Sequence, residues 1–540
     1  MHPKFIAITG GVLSGVGKGT ITASIGKLLS LQGYGVSAIK IDPYINVDAG
    51  TMRPTEHGEV FVTDDGGETD QDLGTYERFI GRDHLKDQNM TTGQVYQTVI
   101  QKERNLEYKG RCVEVIPHIP EEVKRRIKES AERTKSDFCL IEVGGTVGDY
   151  QNVLFLEALR QMKLEGEKVL FIHVSYLPVP GNLGEMKTKP TQRSVKDLNS
   201  IGIQPDMIIT RSARPIDDVR KHKISMFCNV SAEDVVSSHD VSNIYEVPLV
   251  LEKQDFTSKL LSKLGLVFKQ GMTKEWGDFV SRTKSAEKEA RVGIIGKYFD
   301  VGDFTLEDSY ISVIEAVKHA CWNNGFRAGI EWIDSKEFEK DKDKLESLRD
   351  YDALIVPGGF GGTGVEGKIE AIRYARENNI PFLGLCYGMQ LAVVEFARNV
   401  CGMDGANSAE IDEKAAHCVI DIMPEQKKNI SERNYGATMR LGAYPARLKE
   451  GSVVHQLYGA EEVSERHRHR YEVNPEYAEK LESSGLVFSG RSPDRRLMEF
   501  LELPGHTYFV ATQAHPEFKS RPMNPAPLFD GLIRAIKRKV

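Results

Sequence analysis

The chain has 540 residues, 40% hydrophobic and 28% charged, an ordinary globular composition that at roughly 100 to 200 residues per domain excludes a single small module. Its 71 Lys and Arg stand against 78 Asp and Glu, a formal charge of −7. An anionic substrate must therefore be held by a local basic cluster, which argues against a general nucleic-acid binder, and seven cysteines without a C-x-x-C pair fit neither a disulfide framework nor a zinc site but a reducing, cytoplasmic compartment.

The first predicted strand, Phe5 to Thr9, starts almost at once, with no export signal before it. Apolar stretches such as Val169 to Val179 fall well short of the ~18 residues of a membrane span, so a soluble chain without a membrane partner is expected. After the first strand, Ile21, Ile25, Leu28 and Leu29 fall at i, i+4, i+7 and i+8, which predicts an amphipathic helix from Lys18 to Gln32 stopped at Gly33. Val36 to Ile41, Phe138 to Val143, Val169 to Val174 and Met207 to Thr210 read as further buried strands. From Lys269 to Ala290 the text turns Lys-, Glu- and Ser-rich, predicting a linker at 269–290 between domains at 1–268 and 291–540. The second half repeats the pattern with Val292 to Ile295, Asp352 to Val356 and Pro381 to Leu385. The fold class is α/β, two doubly wound domains, each a mainly parallel sheet with helices on both faces.

Gly10-Gly11-Val12-Leu13-Ser14-Gly15-Val16-Gly17-Lys18-Gly19-Thr20 lies between the first strand and helix, where backbone N–H groups and a helix N-terminus can surround phosphates and Lys18 can reach the terminal ones. It departs from the strict phosphate-loop pattern, with Val12 for glycine and Gly19 for a hydroxyl residue. The hydroxyl that usually meets Mg²⁺ is missing, so carboxylates must come from elsewhere. Glu142 ends an apolar strand, and Asp72 belongs to the acidic stretch Asp64 to Asp72, which on composition alone is a solvated loop. Lys187-Thr188-Lys189-Pro190-Thr191-Gln192 reads either as an exposed turn or as a loop holding a second set of phosphates.

Gly384-Leu385-Cys386-Tyr387-Gly388 follows an apolar strand and precedes a helical segment, a nucleophile elbow with Cys in place of Ser. The helix N-terminus favours the thiolate that attacks carbonyls. In Ala514-His515-Pro516-Glu517, His515 would relay the proton and Glu517 orient the ring. Pro357-Gly358-Gly359-Phe360-Gly361 could supply oxyanion donors. Cys112, Cys139 and Cys228 read as buried structural thiols. The basic run Arg466 to Arg470 reads as a solvated face, unless one arginine holds an amino-acid carboxylate.

A nucleotide-and-metal half joined to a thiol amidohydrolase half resembles the CTP synthase family, P-loop amidoligases fused to a class I glutamine amidotransferase that aminate UTP with ammonia from L-glutamine. The resemblance extends over nearly the whole chain and includes Lys40 to Asp48, His57 to Val62, Tyr76 to Phe79, Gly144 to Asp149 and Arg466 to Asn474. It implies that Ser14, Gly15, Val16, Gly17, Lys18, Gly19 and Thr20 bind ATP phosphates, that His239, Asp240 and Val241 contact the adenine region, and that Asp72 and Glu142 hold Mg²⁺. Ser14, Asp149, Tyr150, Gln151, Lys187, Thr188, Lys189, Pro190, Thr191, Gln192 and Lys223 would bind UTP or CTP. Cys386, His515 and Glu517 would be catalytic, and Gly359, Tyr387, Gly388, Met389, Gln390, Glu410 and Arg470 would bind glutamine. It further implies GTP activation, CTP feedback inhibition and a homotetramer. Two departures stand out: Gln151, where family members commonly carry a carboxylate, which bears on contacts to the cytosine and leaves the strength of CTP feedback open, and Ala437 in place of glycine. A P-loop amidotransferase acting on a cobalamin-type carboxylate, and a regulatory ATPase with a scaffold glutaminase half, are the competing readings.

Overall fold

The computed structural model describes residues 2–181, 184–296, 300–301, 304–305, 307–423, 426 and 438–537. Ala437 lies outside the described residues. The chain divides into two compact units, Met1–Ala49 with Asp72–Val280, and Gly50–Gln71 with Ser281–Val540.

The first unit is built on a seven-stranded sheet in the order Asn89–Thr91, Val36–Asp42, Phe138–Val143, Lys4–Gly11, Val169–Tyr176, Met207–Ser212 and Val235–His239. Every pairing is parallel. Ile39, Ile41, Cys139 and Ile141 pack with Val123, Ile127, Leu156 and Leu159 from the helices Val115–Thr134 and Val153–Leu164. The helix Lys18–Leu31 faces the opposite side, where Gly26 comes close to Leu140, as period-two alternation along the central strand requires. That helix ends at Gln32, with Gly33 at φ 88°, a left-handed stop that glycine accepts without cost. The two edge strands were not legible as apolar runs: one has three residues, and the other reads Val-Val-Ser-Ser-His.

The expected linker at 269–290 is corrected. Lys274–Ser285 is a helix whose Trp276, Phe279 and Val280 are buried. Trp276 donates from Nε1 to the Tyr245 carbonyl at 2.9 Å and packs near Phe79, Tyr245 and Phe279. Burying each such side chain is worth about 1.5–3 kcal/mol, enough to hold a segment whose average composition looks like loop. The 291 boundary also falls inside a strand, Lys288–Gly296, and Gly50–Gln71 belongs with the second unit.

The second unit carries a nine-stranded sheet in the order Phe326–Asp334, Lys288–Gly296, Ala353–Val356, Phe382–Leu385, Phe509–Thr512, Met498–Glu502, Val487–Arg491, Arg440–Leu448 and Glu462–His469. The first five strands run parallel and the other four join antiparallel. Leu354, Val356 and Phe382 pack toward the helices Val365–Glu377 and Tyr387–Asn399. Ile355, Leu383 and Leu385 face Ile311–Asn324 and Pro527–Lys537 on the other side. Cys139 and Cys228 are buried as expected of structural thiols, but Cys112 is exposed. Among the described residues, no helix is long and apolar enough to cross a membrane.

Candidate functional site

The strand Lys4–Gly11 delivers the glycine-rich loop to the carboxyl edge of the first sheet, where ligands collect in open parallel α/β folds. Val12, Gly15 and Gly17 have φ of 80°, 71° and 91°. Val12 thus stands in the left-handed region that glycine accepts freely, at the cost of strain for a β-branched residue. Lys18 is buried, and its stem crosses Gly10, where a Cβ would come within 2.7 Å of Lys18 Cδ. Its ammonium donates to the Gly145 carbonyl at 2.9 Å. Burial lowers the Lys18 pKa and Lys40 adds to it, despite the opposing pull of Glu142 and Asp72.

The missing loop hydroxyl has a steric explanation. Asp72, in the first turn of the helix Gln71–Ile80, sits against Gly19 so closely that a Cβ there would lie 2.1 Å from Asp72 Oδ1. A carboxylate therefore occupies the space of the usual serine or threonine. Lys40 bridges Asp72 and Glu142, the latter at 3.2 Å, and Tyr76 donates its hydroxyl to Glu142. Lys40 and Glu142 are register partners on adjacent parallel strands. Burial raises the Glu142 pKa, with Asp72 adding to it, while Lys40 and Lys18 oppose the rise. Two close carboxylates beside a phosphate loop are hard oxygen donors in need of positive charge, a set that fits Mg²⁺.

The rest of the acidic stretch does not join them. Asp64 pairs with Arg466 and Glu68 with Arg468 at 2.8 Å, and Asp70 lies 3.4 Å from His57, so these three carboxylates are tied to partners while Asp65 is exposed.

The other expected nucleotide residues also follow strand ends. His239 closes the strand Val235–His239, Asp240 accepts from Arg211 Nη2 at 3.0 Å, and Val241 is half-buried. Asp149 accepts from the Thr146 N–H at 3.0 Å, while Tyr150 is 97% exposed. Lys189 to Gln192 form the first turn of the helix Lys189–Ser200, which replaces the exposed turn of the alternative reading. Thr188, Thr191 and Gln192 are buried, Lys187 pairs with Glu185 at 2.7 Å, and Lys189 lies over the Phe227 ring. Lys223 and Ser14 are exposed. Two residues went unassigned in the sequence, Lys40 and Arg211. The signal for Lys40 was available, since a lysine inside an otherwise apolar strand requires a buried anionic partner.

In the second unit, Cys386 turns between the strand Phe382–Leu385 and the helix Tyr387–Asn399 with φ 51° and ψ −101°, the strained backbone of a nucleophile elbow. Glycine is forced at 388, where a Cβ would lie 2.1 Å from the Val356 carbonyl oxygen, and at 358, where it would meet His515 Cε1 at 2.7 Å. Gln513 Nε2 donates to Cys386 Sγ at 3.7 Å. His515 Nδ1 donates to Glu517 Oε1 at 2.7 Å, and the thiol is near enough to act on the imidazole electrostatically. Nε2 nevertheless has no hydrogen bond of normal geometry among the described residues. It is the ring nitrogen not engaged by Glu517. Cys386, His515, Gly359, Gln390, Glu410 and Arg470 line one cavity of about 300 Å³, the low end of small-molecule sites.

Burial alone would lower the His515 pKa, but Glu517 and then Cys386 outweigh it and hold the imidazole at about 10. Because that lies above the ordinary 6.5, the stabilisation it brings is fully present below 6.5 and is lost as pH rises through about 10. Glu517→Gln should therefore move the His515 titration, followed by its ring-proton NMR resonance, to lower pH. An unchanged midpoint would remove Glu517 from the relay.

Gly361 N–H donates to Glu410 at 2.7 Å and Tyr387 donates its hydroxyl to the Gly361 carbonyl at 2.9 Å, which shapes the glycine loop. Arg470 donates to Gln426 at 2.6 Å and to Thr438 at 3.0 Å. Met389 buries its side chain in the hydrophobic core, and Gly388 abuts Val356, so these two can offer a ligand only backbone groups. The basic run is not a solvated face. Arg466, His467 and His469 are buried, with His467 and His469 hydrogen-bonded at 2.9 Å and lying 3.7 Å from Glu499 and Glu472. Arg440 donates to those same carboxylates at 3.1 and 2.7 Å. Burial, then Arg440, holds both histidines well below the ordinary pKa and therefore neutral.

Comparison with known proteins also divides the chain in two between residues 266 and 305, but it leaves 50–71 with the N-terminal part. The family model for the CTP synthase N-terminus matches residues 4–266, and that for class-I glutamine amidotransferase matches residues 305–535. A CTP synthase of Methanocaldococcus jannaschii is 54% identical over 539 residues, covering 98% of each chain. Those of Thermococcus gammatolerans and Pyrococcus abyssi are each 54% identical, covering 99% of this chain and 99% and 98% of theirs. The solved glutaminase domain of Trypanosoma brucei CTPS with bound acivicin is 38% identical over 46% of this chain and 94% of that one, with a TM-score of 0.42. With 54% identity over nearly the full length of both chains, the chain belongs to the CTP synthase family.

Proposed function

We propose that this chain forms CTP from UTP in an ATP-driven amination, with ammonia drawn from L-glutamine at Cys386. Family membership supports the overall reaction, a glutamine-dependent ligase activity in pyrimidine biosynthesis. The observation that carries the residue assignment is the lining of one cavity by Cys386, His515 and Glu517, with the His515–Glu517 hydrogen bond at 2.7 Å.

In the glutaminase half-reaction, Cys386 Sγ attacks the glutamine side-chain carbonyl. His515 passes a proton from Nε2 to the departing nitrogen, which leaves as ammonia. Water, deprotonated by the same imidazole, then hydrolyses the thioester to glutamate. Glu517 holds the ring and balances the imidazolium. Arg470 and Glu410 are suited to the α-carboxylate and α-amino groups, and Gly359 to the oxyanion. In the synthase half-reaction, the γ-phosphoryl group of ATP passes to uracil O4, ammonia attacks C4, and phosphate leaves with the former O4. Lys18 and the loop from Ser14 to Thr20 orient the ATP phosphates, and His239 to Val241 flank the adenine. Lys187 to Gln192 and Lys223 hold the pyrimidine triphosphate, with Asp149 to Gln151 nearer the base. Asp72 and Glu142 would hold Mg²⁺, which when bound neutralises phosphate charge during transfer. GTP activation, CTP feedback and a homotetramer, working without nucleic acid or membrane in the cytoplasm, belong to the same proposal.

Phosphate release from ATP tests the substrate. It should require UTP when ammonia is supplied. Release indifferent to UTP would favour a carboxylate-activating amidotransferase instead.

A further inference from the structure

We propose that Phe61 and Arg466 are positioning residues for His515, so that the hairpin formed by Phe61–Val62 and Glu68–Thr69 sets the rate of glutamine hydrolysis by holding the imidazole plane. The proposal rests on the assignment of Cys386, His515 and Glu517 as the glutaminase centre.

A relay imidazole needs two constraints. One acts in the ring plane, to aim Nε2 at the thiol, and the other acts across the plane, to prevent tilting. Glu517 supplies the first at 2.7 Å. The second is a stack of three side chains. The His515 and Phe518 rings lie face to face, with centroids 5.2 Å apart and planes at 20°. Phe61 meets Phe518 edge-on at 5.1 Å and 67°, and the Arg466 guanidinium lies 5.3 Å from the Phe61 ring centroid. These are the face-to-face and edge-on geometries that aromatic pairs prefer, and both Phe61 and Arg466 are fully buried.

Arg466 ties this stack to the catalytic backbone. Its carbonyl accepts the His515 N–H at 2.8 Å. Its side chain donates from Nε to Asp64 Oδ1 at 2.5 Å and from Nη1 to the Val62 carbonyl at 3.1 Å. One residue therefore grips His515 through its main chain and the hairpin through its guanidinium. Lys519, next to Phe518, reaches the other Asp64 oxygen at 3.3 Å. The hairpin lies within the 4–266 stretch matched by the CTP synthase N-terminus and outside the 305–535 amidotransferase match. The imidazole is thus braced by chain that an amidotransferase region alone does not contain.

The test measures glutamate release and ammonia-driven CTP formation in Phe61→Leu and Asp64→Asn, in the full chain. Misplacing a catalytic group by about 1 Å can cost on the order of 10²-fold, so Phe61→Leu should lower kcat for glutamate release by about tenfold or more. KM for glutamine should change by less than about twofold, because the substrate contacts remain. Asp64→Asn, which loosens the Arg466 grip without opening a cavity, should act in the same direction with a smaller effect. Ammonia-driven CTP formation should hold its native rate in both. The His515 titration, followed by its ring-proton NMR resonance, should also move to lower pH in Phe61→Leu, since a tilted ring loses part of its contact with Glu517 and Cys386. Equal loss of both activities, or native glutamate release in both variants, would overturn the positioning role. Cys386→Ala in the same assay tests the underlying assignment separately: glutamate release surviving there would sink the centre itself.

Discussion

Cys386→Ala should lower glutamine-driven CTP formation by roughly 10³-fold or more, the scale seen when a covalent nucleophile is removed, and leave ammonia-driven CTP formation nearly unchanged. Alanine fits the elbow without a new clash, since its Cβ takes the place of the Cys386 Cβ at the same φ of 51°. The loss is therefore chemical. In the proposed mechanism Sγ is the group that forms the thioester, and the His515–Glu517 pair cannot replace it. Added ammonium salts bypass this step, while Lys18, Asp72 and Glu142 lie together in the other unit. The measurement is CTP absorbance with glutamine or with ammonium chloride as nitrogen source. Equal loss with both would contradict two separable half-reactions.

Lys18→Ala should have the complementary signature, with CTP formation lost from either nitrogen source by about 10²–10³-fold, as for removal of one preorganised electrostatic donor. Lys18 is the buried cation of the phosphate loop, anchored to Gly145 at 2.9 Å. Its removal subtracts positive charge from a site where Glu142 and Asp72 already lie close enough to raise the Glu142 pKa. Triphosphate binding there becomes doubly unfavourable, because a donor is lost and the carboxylates go less balanced. Glutamate release, whose residues lie in the second unit, should survive. Native ammonia-driven synthesis in this variant would remove the loop from phosphoryl transfer.

The two motifs most legible in the sequence were those whose chemistry depends on local backbone. A strand, a glycine loop and a helix N-terminus are contiguous, and so are a strand, a cysteine and a helix. The structure retains both, including the left-handed turn at Val12 that its side chain alone would argue against. Asp72 and Glu142 could be nominated but not joined, because 70 residues of chain separate them and only the parallel register of Lys40 with Glu142 brings their shared lysine into place. The reason for Gly19 was likewise hidden, since it lies in the oxygen of Asp72 and not in the loop.

Composition misled where charge was paired out of sight. Arg466 to Arg470 looks solvated, yet strand alternation sends Arg466 and Arg468 to Asp64 and Glu68, and His467 and His469 toward Glu499 and Glu472. The stretch at 269–290 looks like linker because its lysines and glutamates outnumber the apolar stripe that anchors it.

Local order along the chain was thus enough to establish the α/β class, the phosphate loop, the thiol elbow and the family they resemble, since each rests on residues within a few positions of one another. Tertiary packing alone assigned residues 50–71 to the second unit, gave Asp72 the space of a missing hydroxyl and placed Phe61 against Phe518, which stacks on His515. These pairings link residues tens to hundreds of positions apart, and a linear pattern carries no record of which distant charge or ring a side chain will meet once the sheets have formed.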